Sequence, residues 1–421
     1  MKRRHQVVLF AVLLLSLTIL SPSFDFRGSQ LNQERDQEKD TFPGSSSRNE
    51  DAQAPLEIVV AMSDEEFKAF QKIAKEVAAS QLVEINLRNE KPDTYKHVLD
   101  LEFSLGENGD IVLLDSEEVQ YYAQKGYLYP LNGTTLSKSL GETVAGLRGM
   151  TEWNGYQWGM PFDFDPYIMA AHSSFLKKAG LQTLPHSKDQ WAKLTQQAIA
   201  EGIPLIALNL NDVYGTSGWL HHLEPGMAPD QVKGAQISSQ TGDFQQGMQL
   251  MNQIQPYIMV QADNPDFSSS ADQKVTPMIV TLLSQLLNAE QSTVDKDSME
   301  RISIEALEPV NSRSLVITAG SVEAEEASRW IEGMTSAGTQ LKWYQQTNRL
   351  PAKQQELDVE SEKLAEHYDM TKGQSWFSTE DVPAATPESR ALIIRFHQKV
   401  QQFLKGEITA NQYVDSIRTT N

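Results

Sequence analysis

The sequence predicts an α/β protein in two lobes. Three observations predict it: short apolar runs alternate with capped stretches whose apolar residues recur at helical spacing, the 421 residues exceed the roughly 250–300 that one hydrophobic core serves, and the alternation restarts in the second half of the chain. Hydrophobic residues at 40% and aromatics at 8% suit a folded chain rather than a disordered one.

The folded part begins at Leu56, where Leu56 to Met62 (LEIVVAM) reads as a strand buried on both faces of a parallel sheet. Ser63 with Glu66 forms a capping box, and Phe67, Phe70, Ile73 and Val77 then recur on one helical face. Leu82 to Leu87 reads as a second strand, Tyr95 to Leu105 as a second helix, and Asp110 to Asp115 as a third strand. That order implies right-handed crossovers and parallel pairing. Ser116 to Gln124 is a short helix that Gly126 ends in the left-handed conformation. Tyr156 to Phe162 and Tyr167 to Ala171 read as strands separated by an irregular turn, Asp163-Phe164-Asp165-Pro166. Ser187 with Gln190 caps a helix through Ala200, Ile203 to Leu208 is a buried strand, and Thr216 to Leu287 is mostly helical in pattern. Arg301 to Leu307 and Ser314 to Thr318 read as strands, and Val322 to Met334 as a helix. Helices dominate the end, with Pro387 to Leu404 the longest of them, and Thr409 with Gln412 caps a terminal one that runs to Ile417.

Lys and Arg number 36 against 56 Asp and Glu, a net charge of −20 with no basic stripe, which argues against a nucleic-acid partner. Cysteine is absent, so disulfides, thiolate nucleophiles, zinc-thiolate sites, iron–sulfur clusters and lipid-modified cysteine are all excluded. Lys2, Arg3, Arg4 and His5 precede an apolar run from Val7 to Leu20, and Ser21-Pro22-Ser23 offers small residues for cleavage. The run is shorter than the roughly 20 residues of a membrane span, which favours a cleaved signal peptide over residues 1–23, with an uncleaved anchor as the alternative. Residues 24–55 are polar and charged and read as a disordered tether.

Four stretches carry a family resemblance: GDIVLLDSEEVQYYAQKGYLYPLN (Gly109 to Asn132), WNGYQWGMPFDFDPYIMAAHSSFLKKAGL (Trp153 to Leu181), SRSLVITAGSVEAEEASRWIEGMTSAGTQLKWYQQTNRLPA (Ser312 to Ala352) and the closing FLKGEITANQYVDSI (Phe403 to Ile417). In this order they resemble the bacterial extracellular solute-binding proteins of the maltose-binding-like family, the sugar receptors of ABC importers. The resemblance covers essentially everything after Leu56 and departs at Val310-Asn311-Ser312-Arg313, where the family has Gly-Gly-Ser. It implies the periplasmic-binding-protein-like type II fold: two α/β lobes with mixed, mainly parallel sheets joined by a multi-crossing hinge. The expected lobes are 56–161 plus 309–350 and 162–308 plus 351–421, with crossings at Met160 to Pro166, Glu308 to Asn311 and Arg349 to Ala352. It further implies a sugar or oligosaccharide ligand, ABC permease subunits as partners, and a monomer at the outer face of the cytoplasmic membrane or in the periplasm.

Ligands of open α/β sheets bind at the carboxyl ends of strands. Asp64 and Glu65 follow the first strand, and Asp115 and Ser116 the third, although acids there also serve a helix N-terminus. Carboxylates hold sugar hydroxyls by charge-assisted hydrogen bonds, while aromatic rings stack on the apolar sugar face. Asp163, Phe164 and Asp165 are further candidates, with Tyr167, Trp219, Tyr344 and Trp376 as rings. Trp191 and Trp330 are spaced as helix core residues.

Catalytic signatures are missing: no Gly-x-Ser-x-Gly, His-Glu-x-x-His, phosphate loop or dinucleotide fingerprint occurs. His221 and His222 point about 100° apart on a helix and make a weak metal pair, and Asp163 with Asp165 is a poor glycosidase pair at about 7 Å along an extended segment. The expectation is therefore a non-enzymatic, cofactor-free and metal-free receptor that closes on a sugar and hands it to a permease. An envelope-anchored sensor or interaction protein on the same scaffold is the alternative.

Overall fold

The computed structural model describes residues 54–132, 135–224, 243–261, 276–291, 301–370, 376 and 387–418. The expected signal segment and tether lie outside them, as does part of the stretch read as helical between Thr216 and Leu287. No helix among the described residues is long and apolar enough to cross a membrane.

Strand β1 (Leu56–Ala61) leads into helix α1 (Asp64–Gln81), whose Ser63–Glu66 capping box is present in both directions. Phe70, Ile73, Ala74 and Ala78 form the buried face of α1. Leu82 ends that helix in the left-handed conformation at φ 57°, so β2 is displaced from the expected Leu82–Leu87 to Ile85–Glu90. Helix α2 (Pro92–Leu105), β3 (Ile111–Asp115) and α3 (Ser116–Gln124) complete a unit in which β1 pairs in parallel with β2 and β3. Two short helices, α4 (Leu136–Gly141) and α5 (Ala145–Met150), precede a hairpin of β4 (Glu152–Trp153) and β5 (Tyr156–Gln157). Its Asn154-Gly155 turn has both φ angles positive, as a two-residue hairpin requires.

The largest departure from the sequence reading follows. β6 runs unbroken from Met160 to His172, with α6 (Ser173–Lys178) after it. Helix α7 (Lys188–Glu201), β7 (Ile206–Asn209), α8 (Val213–Leu223), α9 (Asp243–Ile254), β8 (Ile258–Gln261), β9 (Met278–Leu282) and α10 (Leu283–Gln291) come next, and then β10 runs unbroken from Ile302 to Ile317. The expected turn at Asp163–Pro166 and the expected gap between Leu307 and Ser314 are both strand. β6 and β10 pair antiparallel along their lengths, interrupted where Leu307 gives way to Val310 and again between Arg313 and Ser314. The first irregularity lies opposite Pro166, which has no N–H to give to the ladder. β8 and β9 are the other correction: both fall in the stretch read as mostly helical.

The remaining elements are α11 (Ala324–Met334), α12 (Ala337–Thr347), β11 (Leu350–Pro351), α13 (Gln354–His367), β12 (Asp369–Met370), α14 (Pro387–Leu404) and α15 (Ala410–Arg418). The mixed sheet has the order β2-β1-β3-β10-β6-β9-β7-β8, with β11 added to β6 and β12 to β10. The C-terminal part of β10 (Arg313–Ile317) pairs with β3, whereas β6 from Tyr167 to Ala171 pairs with β9. The two long strands thus carry the pairing from the β1–β3 side of the sheet to the β7–β9 side.

Each lobe has its own packing. Phe70, Phe162, Trp330 and Trp343 meet between α1, α11 and α12, with Phe70 edge-on to Phe162 and Trp343 at 6.0 Å. In the other lobe Trp191 and Trp219 meet edge-to-face at 6.3 Å, a geometry worth about 0.5–1.5 kcal/mol beyond area burial. Gly218 brings α8 against β10 so closely that a Cβ there would sit 2.4 Å from the Glu308 carbonyl oxygen. α8 therefore rides on the crossing strand beside its bulge.

Candidate functional site

β3 ends at Asp115 and α3 starts at Ser116, which places Asp115 and Glu117 at the carboxyl edge of the first lobe's sheet. From the other side, Asp212 caps α8 by accepting from the backbone N–H groups of Tyr214 and Gly215, both at 3.1 Å, and so aims the first turn of α8. A cavity of about 60 Å³ lies between these elements. Asp115 at the end of β3, Glu117 on α3 and Met150 on α5 line it on one side, Tyr167 on β6 and Tyr214 on α8 on the other, and Val310, Asn311 and Ser312 from the bulged part of β10. The Tyr214 hydroxyl crosses the cavity and donates to Glu117 Oε1 at 2.5 Å.

Electrostatically the site is acidic. Asp115 meets the water of the cleft yet is crowded by protein, and that desolvation pushes its carboxyl above the ordinary range despite Lys96, Arg313 and Arg349. Burial likewise raises Asp212, against the hydrogen bonds it accepts from Gly215 and Tyr167. The tyrosine hydroxyls at 167 and 214 are pushed well up by burial first and then by Asp212 and Glu117 respectively, so both are neutral donors at any physiological pH. None of the described residues that line the cavity is Lys or Arg.

Behind the cavity lies a buried ionic network. Asp163 accepts from Arg313 Nε at 3.0 Å and Nη2, from Arg349 Nε at 3.0 Å and from Trp343 Nε1 at 2.7 Å. Arg349 also reaches Asp165 Oδ2 and Asn311 Oδ1, each at 3.3 Å. Burial pushes Asp163 up, but the two guanidinium groups outweigh it and hold the carboxyl below its usual range. Asp165, held by Ser284 Oγ at 2.5 Å, is raised because burial wins there. Through Arg349 this network fixes Asn311 in the cavity wall.

The residues singled out in the sequence therefore separate. Asp115 lines the cavity, as does Tyr167, while Ser116 is buried beside them with its Oγ 2.7 Å from Ser314 Oγ. Asp64 and Glu65 are exposed in the first turn of α1. Asp163 and Asp165 are fully buried in the network, and Phe164 is core, so none of the three faces the cavity. Trp219 sits five residues after Tyr214 on α8, about 140° further round, and packs into the core with Trp191. Tyr344 packs against the cluster of Phe164 and Ile168, its hydroxyl pushed up to about 12 by burial. Trp376 belongs to that cluster too and donates Nε1 to Ser361 Oγ at 2.8 Å. Glu117, Met150, Tyr214, Val310, Asn311 and Ser312 are the residues sequence reasoning missed. Applying the strand-end rule to β7 would have reached Tyr214, and Val310 to Ser312 coincide with the departure from Gly-Gly-Ser.

A family model described as bacterial extracellular solute-binding protein matches residues 67–372. The chain belongs to that family. Among curated proteins no match is found. Solved structures agree on the fold of this solute-binding protein. The GacH receptor of Streptomyces glaucescens, known unliganded and with acarbose, has a TM-score of 0.64 at 16% identity, covering 87% of this chain and 97% of that one. A solute-binding protein of Thermotoga lettingae bound to α-D-tagatose gives 0.63 at 16% identity, covering 88% and 99%. UgpB of Mycobacterium tuberculosis in complex with glycerophosphocholine gives 0.64 at 16% identity, covering 87% and 97%. These likenesses make the architecture that of the periplasmic-binding-protein-like sugar-binding proteins.

Proposed function

We propose that this solute-binding protein is an exported importer receptor that holds a sugar or oligosaccharide between its lobes and delivers it unchanged to an ABC permease. The observation that carries the reading is the pairing of carboxylates with tyrosines across the cleft, Asp115 and Glu117 against Tyr167 and Tyr214, at the place where the long strands cross. Carboxylates accept from sugar hydroxyls, tyrosine hydroxyls donate, and the rings offer apolar faces. The proposed lobes are 56–161 with 309–350 and 162–308 with 351–421, and the pivot is the bulge after Leu307. A space of about 60 Å³ takes a few waters but no disaccharide, so the lobes open before an oligosaccharide enters. Hinge closure of this kind is the behaviour of periplasmic binding proteins in general.

Residues 55–421, tested as a monomer against a panel of mono- and oligosaccharides by thermal shift and calorimetry, provide the test. A cognate ligand at a hundredfold excess over its Kd adds about 2.7 kcal/mol of stability. A flat response across the panel overturns the reading. One observation favours a second class of ligand: with acidic and tyrosine side chains but no basic residue among the described residues of its lining, the cleft also suits a cationic solute held by carboxylates and ring faces. Quaternary ammonium compounds in the same panel decide between the two.

A further inference from the structure

Away from the cleft, three groups from three separate segments converge. His186 lies in the loop before α7, His222 in the last turn of α8 and Glu305 on β10. One ligating atom from each lies within 4.8 Å of the other two. Nδ1 of His186 is 3.5 Å from Glu305 Oε1, and Nδ1 of His222 is 4.0 Å from the same oxygen. A tetrahedral ion with bonds of about 2.0–2.2 Å holds its ligand atoms roughly 3.3–3.6 Å apart, so the group closes on an ion with side-chain shifts of about 1.5 Å or less. Tyr214 lies eight residues before His222 on the same helix, or about 12 Å along it, which separates this group from the cleft.

Two further observations point to a cation. The His222 Nε2 lies 2.8 Å from the Pro185 carbonyl oxygen, which only accepts, so Nε2 carries a hydrogen and Nδ1 is the ring nitrogen turned toward Glu305. A backbone carbonyl that fixes the tautomer of a ligating histidine is the usual second partner in metal sites. Glu305 Oε2, meanwhile, is buried and has no hydrogen-bond partner among the described residues, although its Oε1 faces two imidazole nitrogens.

We propose that His186, His222 and Glu305 form a binding site for a divalent transition metal, with zinc the best match and water in the fourth position. Two imidazoles and one carboxylate suit Zn²⁺ and its neighbours rather than Mg²⁺ or Ca²⁺, which prefer all-oxygen shells. His186 is exposed and provides the route of entry. Occupied, the site pins the loop before α7 and the end of α8 to the long strand β10.

The test uses untagged protein stripped with a chelator and titrated with ZnCl₂ by calorimetry, with Co²⁺ absorption as a readout of tetrahedral coordination. Wild type is expected to take up one Zn²⁺ per chain with a rise in melting temperature and to show no such response to MgCl₂. His186→Ala, at an exposed position that leaves the fold intact, and Glu305→Gln are each expected to weaken Zn²⁺ binding at least tenfold, while the response to the cleft ligand is retained. No uptake by wild type, or uptake that either variant weakens less than tenfold, overturns the proposal, since the ion would then sit elsewhere on an acidic surface.

Discussion

Replacing Asp163 by Asn tests the physical core of the hinge. The carboxylate takes four donors, two from Arg313 and one each from Arg349 and Trp343. An amide keeps one acceptor oxygen and turns an NH₂ group toward the remaining donors. For charged partners Arg313 keeps Glu66, at 3.3 Å, and Arg349 keeps Asp165, also at 3.3 Å beside the neutral Asn311 Oδ1, while their side chains stay 9% and 8% exposed. Removing one partner of a buried pair costs about 3–5 kcal/mol because the surviving charge stays desolvated. With an unfolding entropy of about 2.1 cal/mol/K per residue, the folded part from Leu56 onward totals about 0.8 kcal/mol/K, so the melting temperature should fall by about 4–6 °C. Calorimetric melts of wild type and variant at neutral pH measure this. Because the native Asp163 carboxyl lies below its usual range, its contribution is present above the unfolded value and is lost only as the pH falls through the lower native one. The gap between the two proteins should therefore persist through mild acid and close only in strong acid. A gap below about 1 kcal/mol at neutral pH, or one that has already closed in mild acid, would refute the account of Asp163 as a paired, ionised anchor.

Tyr214→Phe removes the bond across the cleft; a hydrogen bond to a charged group contributes about 1.5–3 kcal/mol, so the ligand-free protein should shift at least tenfold toward open lobes. Small-angle scattering reads that shift as a larger radius of gyration, and an unchanged radius contradicts a closing role for Tyr214. Asp115→Asn should weaken binding of the cleft ligand about tenfold or more by calorimetry while leaving the melting temperature unchanged or higher, because the carboxyl is already disfavoured by crowding. For the same reason wild-type affinity should decline from neutral to mildly acidic pH, as Asp115 is protonated and stops accepting; a flat profile would show that Asp115 does not touch the ligand.

Local signals in the sequence carried the helix starts. The Ser63–Glu66 box, the capping Ser187 and Gln190, and the Thr409–Gln412 pair all act within one helical turn, and each is present in the structure. The long strands were illegible for the opposite reason. Asp163 and Asp165 read as turn residues because their neutralising partners Arg313 and Arg349 lie 150 to 186 positions away, and only with those partners does a charged segment run buried inside a sheet. Trp219 shows a second limit. Its helix start was legible as a strand-to-helix junction near a cleft, yet which side of α8 faces that cleft depends on the close approach that Gly218 allows to β10, a contact between distant parts of the chain. His186, His222 and Glu305 were beyond pattern reading altogether, since no spacing links them.

In the proposed receptor the strands that form the hinge also form the site, and this constrains how a ligand works. Tyr167 and Val310 to Ser312 line the cavity from the two crossing strands, one lobe's α8 is packed against Leu307 and Glu308 beside the bulge, and the Asp163 network holds the other side rigid through Arg313 and Asn311. Pivoting at the bulge therefore carries Tyr214 toward or away from Glu117 as a body. A ligand hydroxyl that donates to Glu117 takes over an acceptor Tyr214 already uses in the closed state, so that contact exchanges one hydrogen bond for another. The free energy that favours closure with ligand bound must then come from groups with no partner across the cleft among the described residues, and Asp115 is the lining carboxylate so placed. Only such differential contacts shift the population, because a ligand that merely replaces the Tyr214–Glu117 bond would bind open and closed forms alike.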